Sequence, residues 1–316
     1  MRFSTSLLVG TAVCLGSVTA AAQSAAEPRR HGPVIDVHLH GYASDPRWQA
    51  RVPNPITGAP MTATTEDSHR RAIMEQMRRY NVVAAVVSSA HATATPVLQR
   101  YTSISSLRFL PGIAFDAPNE VSPEWIRSEH RVGRLAVIGE IGAPYAGFSA
   151  GDSAYGPFFT LAEELDIPIA VHVGSAGGGA TYTGSPKYRM EFNRPLRLED
   201  MLARHPRARV QMMHAGWPFT DETVALMRLH PHVYVDLGVI DWTQSRAEFH
   251  RHLRRLIDAG FEKRIMFGSD AMVWPEAIGM AVEAVDAAPF LTREHKRDIF
   301  CRNAARFLKL SPSPCD

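Results

Sequence analysis

Residues 34–40 read Val34-Ile35-Asp36-Val37-His38-Leu39-His40, an apolar and β-branched run that ends in polar side chains. Such a run is typical of a strand buried on both faces. Strand side chains alternate between faces, so His38 and His40 share one face, roughly 6–7 Å apart along the strand. Two imidazoles placed in this way can bind one metal ion, although an isolated pair can also be structural.

Seven further runs of this kind follow along the chain, at Val82–Ser88, Phe109–Ala114, Leu135–Ile141, Ile167–Val173, Arg209–His214, Val233–Leu237 and Arg264–Gly268. Segments with helical periodicity separate them. Parallel strands that alternate with helices predict an α/β fold, and eight such units predict a (β/α)8 TIM-type barrel with Thr292–Leu310 as an extra C-terminal helix. The alternative is an open doubly wound sheet, but its dinucleotide-binding form requires a G-x-G-x-x-G motif after an early strand, which the sequence lacks.

The N-terminal segment has the pattern of a secretory signal peptide over residues 1–22. Arg2 precedes an apolar run from Leu7 to Ala22, which ends in small residues that suit cleavage. The alternative is a membrane anchor, for which the run is short and poor in large apolar residues. We therefore expect one barrel domain over residues 23–316 that is secreted or periplasmic and has no membrane anchor after cleavage.

Two cysteines remain after such a cleavage, Cys301 and Cys315. An oxidising compartment would allow them to pair. The simpler expectation is that Cys301 packs inside the C-terminal helix while Cys315 lies unpaired in the tail.

The composition limits the classes of partner. The chain carries a formal charge of +2, and only 4 of its 34 basic residues are lysine. No basic stripe accompanies the strand-end motifs, so we expect a small-molecule substrate and no nucleic acid. Self-association into a homo-oligomer is compatible with the sequence.

The ends of the predicted strands carry the candidate metal ligands. Glu140 ends the fourth strand, His172 the fifth, His214 the sixth and Asp270 the eighth. A carboxylate at the end of an apolar strand is costly unless it is paired or binds a cation, and the strand ends of a barrel meet at one mouth. Together with His38 and His40, these residues predict a divalent metal site. Nitrogen and oxygen donors without thiolate favour Zn²⁺, with Mn²⁺ and Fe²⁺ as alternatives, and one or two ions would fit.

Most other histidines lie beside Arg and Glu in predicted helices or loops. We expect ordinary solvated positions for His69, His130, His205, His230, His250, His252 and His295.

The chain resembles the amidohydrolase superfamily, in particular its amidohydrolase-related branch, amidohydrolase-2, from about Pro33 to Leu310. The resemblance rests on Asp36-Val37-His38-Leu39-His40, Arg204-His205-Pro206, Met213-His214-Ala215-Gly216, Val233-Tyr234-Val235-Asp236, Met266-Phe267-Gly268-Ser269-Asp270 and Asn303-Ala304-Ala305-Arg306-Phe307. It implies a barrel in which His38, His40, His172 and His214 are metal ligands. It also implies that Asp270 holds the metal and accepts a proton from the reacting water.

The fourth strand departs from one pattern of that family. Where many members have a carboxylated lysine, this chain has Glu140, in Ile138-Gly139-Glu140-Ile141-Gly142. This resembles the bridging glutamate of certain two-metal members, including deoxyribonucleases. The alternative is that Glu140 supports His172 or a substrate group.

These residues predict an exported metal-dependent hydrolase that uses a metal-activated water to cleave an amide, lactone or ester bond of a small molecule. Asp270 and His214 are the predicted catalytic residues. The alternatives are a phosphoesterase or nuclease, motivated by Glu140, and a decarboxylase of an aromatic acid. A non-enzymatic metal-binding module is disfavoured because the proton-accepting carboxylate of Asp270 is present.

Two long loops follow the first and fifth strands, at Gly41–Glu66 and Gly174–Pro195. In a barrel such loops surround the active-site mouth. Candidate substrate-binding residues in these and other loops are His91, Arg189, Trp217 and Trp274, each of which could instead be an ordinary loop or core residue.

Overall fold

The protein is described by a computed structural model, which covers residues 32–104 and 107–315. The predicted signal peptide, residues 1–22, lies outside the described residues. The eight predicted strands are confirmed as β1 Val34–His40, β2 Val82–Ala90, β3 Arg108–Phe115, β4 Val137–Ile141, β5 Ile169–Val171, β6 Val210–Met212, β7 Val233–Asp236 and β8 Ile265–Met266. Neighbours along the chain pair in parallel from β1 to β8.

Backbone hydrogen bonds connect the two ends of this sheet. The amide of Val37 in β1 donates to the carbonyl of Phe267 at 3.0 Å, and the amide of Asp270 donates to the carbonyl of His38 at 2.8 Å. Because the residues after β8 bond to β1, the sheet curls into a nearly closed barrel. The predicted (β/α)8 fold is confirmed.

The α-helices of the described residues lie between the strands and after them. Their bounds are α1 Pro46–Ala50, α2 Glu66–Arg79, α3 Ala94–Thr102, α4 Pro123–Arg131, α5 Ala143–Ala146, α6 Gly156–Leu165, α7 Glu199–Arg204, α8 Thr220–Leu229, α9 Ile240–Thr243, α10 Arg246–Asp258, α11 Ala277–Asp286, α12 Arg293–Arg297 and α13 Asn303–Phe307. No helix among the described residues is long and apolar enough to cross a membrane.

The C-terminal helix is one run with a wider turn in its middle. A π-helical turn, Asp298–Arg302, joins α12 to α13. Ala304 and Phe307 of α13 pack in one apolar cluster with Ile35 and Val37 of β1. The extra helix that the sequence predicted therefore covers the barrel beside its first strand.

Cys301 and Cys315 form a disulfide bond, with their Cα atoms 5.7 Å apart. The expectation of an unpaired Cys315 was wrong. The chain reverses after α13, where Lys309 has a φ of 53°, and Cys315 packs against the same apolar cluster as Cys301. A local sequence pattern does not show such a reversal, so the pairing could not be chosen from the sequence.

Reduction of this disulfide is expected to destabilise the protein by about 3 kcal/mol, because the bond closes a short loop and restricts the unfolded chain. The separation of the cysteines is 14 residues. For a domain of this size, this decrease in the free energy of unfolding corresponds to a fall of about 6–12 °C in the unfolding temperature. Thermal unfolding with and without reductant measures the effect. Cys315→Ser is the control, since reductant should not lower its unfolding temperature further; an unchanged wild-type value would contradict the prediction.

Candidate active site

Six side chains converge at the carboxyl ends of the barrel strands. His38 and His40 belong to β1 and Glu140 to β4, while His172 directly follows β5 and His214 and Asp270 lie in the segments that begin after β6 and β8. They form three overlapping groups, and the candidate ligand atoms in each group lie within 4.8 Å of one another. The structure thus brings together the six residues that the sequence predicted as metal ligands.

Glu140 lies between two pairs of imidazoles. Its Oε1 is 2.6 Å from Nδ1 of His172 and 3.7 Å from Nε2 of His214, while its Oε2 is 3.4 Å from Nε2 of His38 and 3.3 Å from Nε2 of His40. Burial raises the pKa of Glu140, but the hydrogen bonds with these imidazoles outweigh burial and hold the pKa well below its usual range. The carboxyl group is therefore ionised and faces both pairs.

Asp270 completes the cluster on the side of β1. Its Oδ1 is 3.1 Å from Nε2 of His40 and 3.7 Å from Nε2 of His38. Both Oδ1 of Asp270 and Nε2 of His38 are buried without a hydrogen-bond partner. Buried polar atoms rarely remain without a partner, and a nitrogen and a carboxylate oxygen side by side suit a divalent cation. The residues present therefore fit a metal ion.

Asp236 is a buried carboxylate whose role was not predicted from the sequence motif Val233-Tyr234-Val235-Asp236. It ends β7, and its Oδ1 lies 3.3 Å from Nδ1 of His38 and accepts the amide of Gly238 at 2.8 Å. A carboxylate on the second ring nitrogen of a histidine fixes the ring orientation and directs the other nitrogen to a metal. Its position at the end of a strand is the sequence signal that could have identified it as a site residue, as the same signal did for Asp270.

His214 occupies an unusual backbone conformation. It has a φ of 57° and Ala215 a φ of 46°, a region that costs about 1–2 kcal/mol for a residue other than glycine. Nδ1 of His214 donates to the carbonyl of Gly238 at 2.9 Å. In the neutral ring this bond places the hydrogen on Nδ1, so that Nε2, on the side of Glu140 and His172, can offer its lone pair to a metal.

A cavity of about 550 Å³ opens onto this cluster, and His172, His214 and Asp270 are part of its lining. Its lining also includes four aromatic side chains, Tyr145, Trp217, Trp242 and Trp274. A smaller cavity of about 210 Å³ shares Tyr145 with the first and is also lined by His40, Asp116 and Glu140.

Of the predicted substrate-binding residues, only Trp217 and Trp274 line these cavities. The ring of His91 packs edge-on against Trp125 of α4, 4.6 Å between centroids. Arg189 is exposed and donates to the carbonyls of Pro186 and Tyr188 at 2.9 and 2.7 Å. The structure therefore does not bring His91 and Arg189 into these cavities, and both side chains find partners elsewhere.

Arg47 of α1 is the cation that sequence reasoning missed. Among the described residues that line the large cavity it alone carries a permanent positive charge. Asp45 accepts from its Nε and Nη2 at 2.8 and 2.7 Å, and the guanidinium lies 5.6 Å from the ring centre of Trp274. Nη1 donates to the sulfur of Met272 at 3.7 Å, and the ring of Tyr42 lies 5.7 Å from the guanidinium carbon. A weak partner of this kind leaves an N–H group available to a ligand.

Residues 35–310 match the model of a protein family described as amidohydrolase. The chain therefore belongs to this amidohydrolase family of enzymes. Among curated proteins, fluG of Emericella nidulans is 25% identical over 114 residues, which are 36% of this chain but only 12% of that protein.

Several solved structures share the fold. An uncharacterised TIM-barrel protein from Bordetella bronchiseptica is 16% identical, with a TM-score of 0.68 over 88% of this chain and 98% of that one. A 5-carboxyvanillate decarboxylase from Novosphingobium aromaticivorans, complexed with manganese, is 14% identical, with a TM-score of 0.60 over 89% and 97%. A probable 2-pyrone-4,6-dicarboxylic acid hydrolase from Acinetobacter baumannii is 13% identical, with a TM-score of 0.59 over 88% and 99%. At these identities the likeness concerns the fold alone.

Proposed function

We propose that this protein is an exported metal-dependent hydrolase that cleaves an amide, lactone or ester bond of a small molecule. The observation that carries the proposal is the convergence of four imidazoles and two carboxylates on strand ends that are far apart in the chain. Membership of the amidohydrolase family supports it. A divalent metal bound there would supply a Lewis acid that polarises the scissile carbonyl and lowers the pKa of a reacting water.

The side chains of the cluster have two further roles, metal binding and proton transfer. His38, His40, His172 and His214 would hold the metal with neutral nitrogen donors, and Asp236 fixes the ring of His38. Asp270 can accept the proton of the attacking water and return it to the leaving group, since its Oδ1 has no hydrogen-bond partner and faces the cluster. Zn²⁺ remains our proposal for the metal because hydrolysis requires no redox chemistry.

Metal analysis of the purified protein, followed by a screen over amides, lactones and phosphodiesters, tests this proposal. We expect bound Zn²⁺ or another divalent metal, together with hydrolysis of an amide, lactone or ester that chelator abolishes and metal restores. Protein that binds no divalent metal would overturn the proposal. Cleavage of phosphodiesters alone would instead support the phosphoesterase alternative.

The large cavity favours a flat, negatively charged substrate. Three tryptophans and a tyrosine offer apolar faces, and Nη1 of Arg47 offers a charged donor to an anionic group. The decarboxylase and hydrolase neighbours are named for carboxylic acids, which agrees with this charge.

Arg47→Gln is expected to weaken binding of benzoate by about 10–100-fold, because a charge-assisted hydrogen bond is lost. Metal-free protein is titrated with benzoate, and the intrinsic fluorescence of the cavity tryptophans reports binding. The neutral isostere benzamide should bind both proteins equally, and Arg189→Gln, which alters an arginine outside the cavity, should behave as wild type. Equal benzoate affinity in wild type and Arg47→Gln would contradict the assignment.

A decarboxylase of an aromatic acid is the second candidate. It is favoured by the position of Arg47 beside aromatic walls at the metal cluster and by the fold shared with 5-carboxyvanillate decarboxylase. Release of carbon dioxide from an aromatic acid without hydrolysis of any compound in the screen would select it.

Export is supported by two independent features. The first 22 residues have the pattern of a signal peptide, and the Cys301–Cys315 disulfide suits an oxidising compartment. N-terminal sequencing of protein recovered outside the cytoplasm would test this, with an intact N-terminus on cytoplasmic protein as the contrary result.

A further inference from the structure

The turn that carries His214 is held in place by neighbouring helices. His214, Ala215 and Gly216 have φ values of 57°, 46° and 64° in succession. Residues other than glycine leave this conformation readily unless surrounding contacts maintain it. The contacts of this turn therefore decide where the His214 imidazole lies.

His252 of α10 supplies one of these contacts. Its side chain is buried, although its charged neighbours in sequence predicted a solvated position. Its Nε2 is 3.2 Å from the carbonyl oxygen of Ala215, and its Nδ1 is 2.7 Å from Oγ1 of Thr220. A carbonyl only accepts, so Nε2 carries the hydrogen and donates, while Nδ1 accepts from the Thr220 hydroxyl.

His252 must be neutral to donate one hydrogen bond and accept the other. Burial lowers the pKa of His252 to about 4, so the ring is neutral around neutral pH. A neutral ring has one donor and one acceptor, which matches the carbonyl on one side and the hydroxyl on the other. Oγ1 of Thr223 donates to the same Ala215 carbonyl at 3.0 Å.

We propose that His252, oriented by Thr220, is a positioning residue that holds the Ala215 carbonyl and so directs Nε2 of His214 into the cluster of candidate metal ligands. Nothing in the cluster touches His252 directly; it acts through the backbone of the residue that follows His214. The inference rests on the proposed function, because it assumes that His214 is a metal ligand.

The experiment compares the affinity of Co²⁺ for purified apoprotein by competition with a chelator. His252→Leu removes the donor, and we expect its Co²⁺ dissociation constant to rise about 10–100-fold, as for other groups that orient metal ligands. His252→Gln can place an amide N–H near the position of Nε2 and should recover most of the affinity. The visible absorption of bound Co²⁺, which follows ligand geometry, should change in His252→Leu and return toward the wild-type spectrum in His252→Gln.

His250→Leu is the matched control. His250 lies on the same helix, but its Nε2 contacts the carbonyl of Ala284 at 2.9 Å, which is remote from the turn. Loss of this contact in His250→Leu should lower the unfolding temperature without changing the affinity for Co²⁺. If His252→Leu does not fold, Thr220→Val, which keeps His252 but removes the hydroxyl that orients it, should give a smaller loss of affinity.

Three outcomes separate the possibilities. Wild-type protein without Co²⁺ affinity would overturn the proposed function and this inference with it. Wild-type affinity in both His252→Leu and Thr220→Val would overturn the inference alone. Equal losses in His250→Leu and His252→Leu would also overturn it, since they would show a general effect of stability.

Discussion

Asp270→Asn is expected to lower kcat for hydrolysis by about 10²–10⁴-fold, because an amide cannot accept the proton of the attacking water. Asparagine keeps one oxygen in the place of Oδ1 of Asp270. That oxygen lies 3.1 Å from Nε2 of His40. The fold and much of the metal content should therefore survive, and the loss should appear in turnover. Steady-state kinetics on a substrate identified by the screen, with metal content measured on the same samples, checks the prediction.

A buried carboxyl group outside the cluster provides the control for this substitution. Asp241 of α9 is buried and both of its carboxyl oxygens have no hydrogen-bond partner. Burial raises the pKa of Asp241 well above its usual range, with the charge of Asp36 as a further cause. A neutral carboxyl group resembles an amide, so Asp241→Asn should leave kcat unchanged. Undiminished hydrolysis by Asp270→Asn with its metal in place would contradict proton transfer through Asp270.

Glu140→Gln is expected to reduce the metal content from near two ions per chain toward one. The two oxygens of Glu140 face separate imidazole pairs, with 2.6 Å to Nδ1 of His172 and 3.3 Å to Nε2 of His40. Glutamine offers a single neutral oxygen, so it cannot bridge two cations or offset their charge. Elemental analysis after dialysis against metal-free buffer measures the ratio.

His91→Gln serves as the control, because His91 packs against Trp125. This substitution should leave the number of metal ions per chain unchanged. One ion per chain in both wild type and Glu140→Gln would show that Glu140 does not bridge. The alternative from the sequence, that Glu140 supports His172, would then account for their short contact.

Most of the fold and the ligand cluster could be predicted because they depend on local patterns. Each strand is a short apolar run, and each candidate ligand lies at or just after the end of one, as His38 does in β1 and Asp270 after β8. The carboxyl ends of parallel strands in a barrel meet at one mouth. Residues distant in sequence could therefore be placed together by topology alone, without knowledge of any contact.

The sequence misled where the result depends on how helices and loops pack. His69 and His252 are each next to an arginine in the sequence, yet both are buried. Each lies on the inner face of its helix, where its ring contacts a backbone carbonyl. Arg189 lies in the predicted active-site loop, yet it bonds its own backbone and remains exposed. Neighbours in sequence do not reveal which side of a helix or loop faces the protein.

By itself, the sequence determined the barrel, its strand ends and the donor atoms at its mouth, because the period of apolar residues specifies which side chains share a face. Tertiary structure alone decided that Arg47 lines the cavity, that His252 supports the turn of His214, and that Cys315 reaches Cys301. These three outcomes depend on the paths of irregular segments and on packing between distant elements, which no periodic pattern encodes.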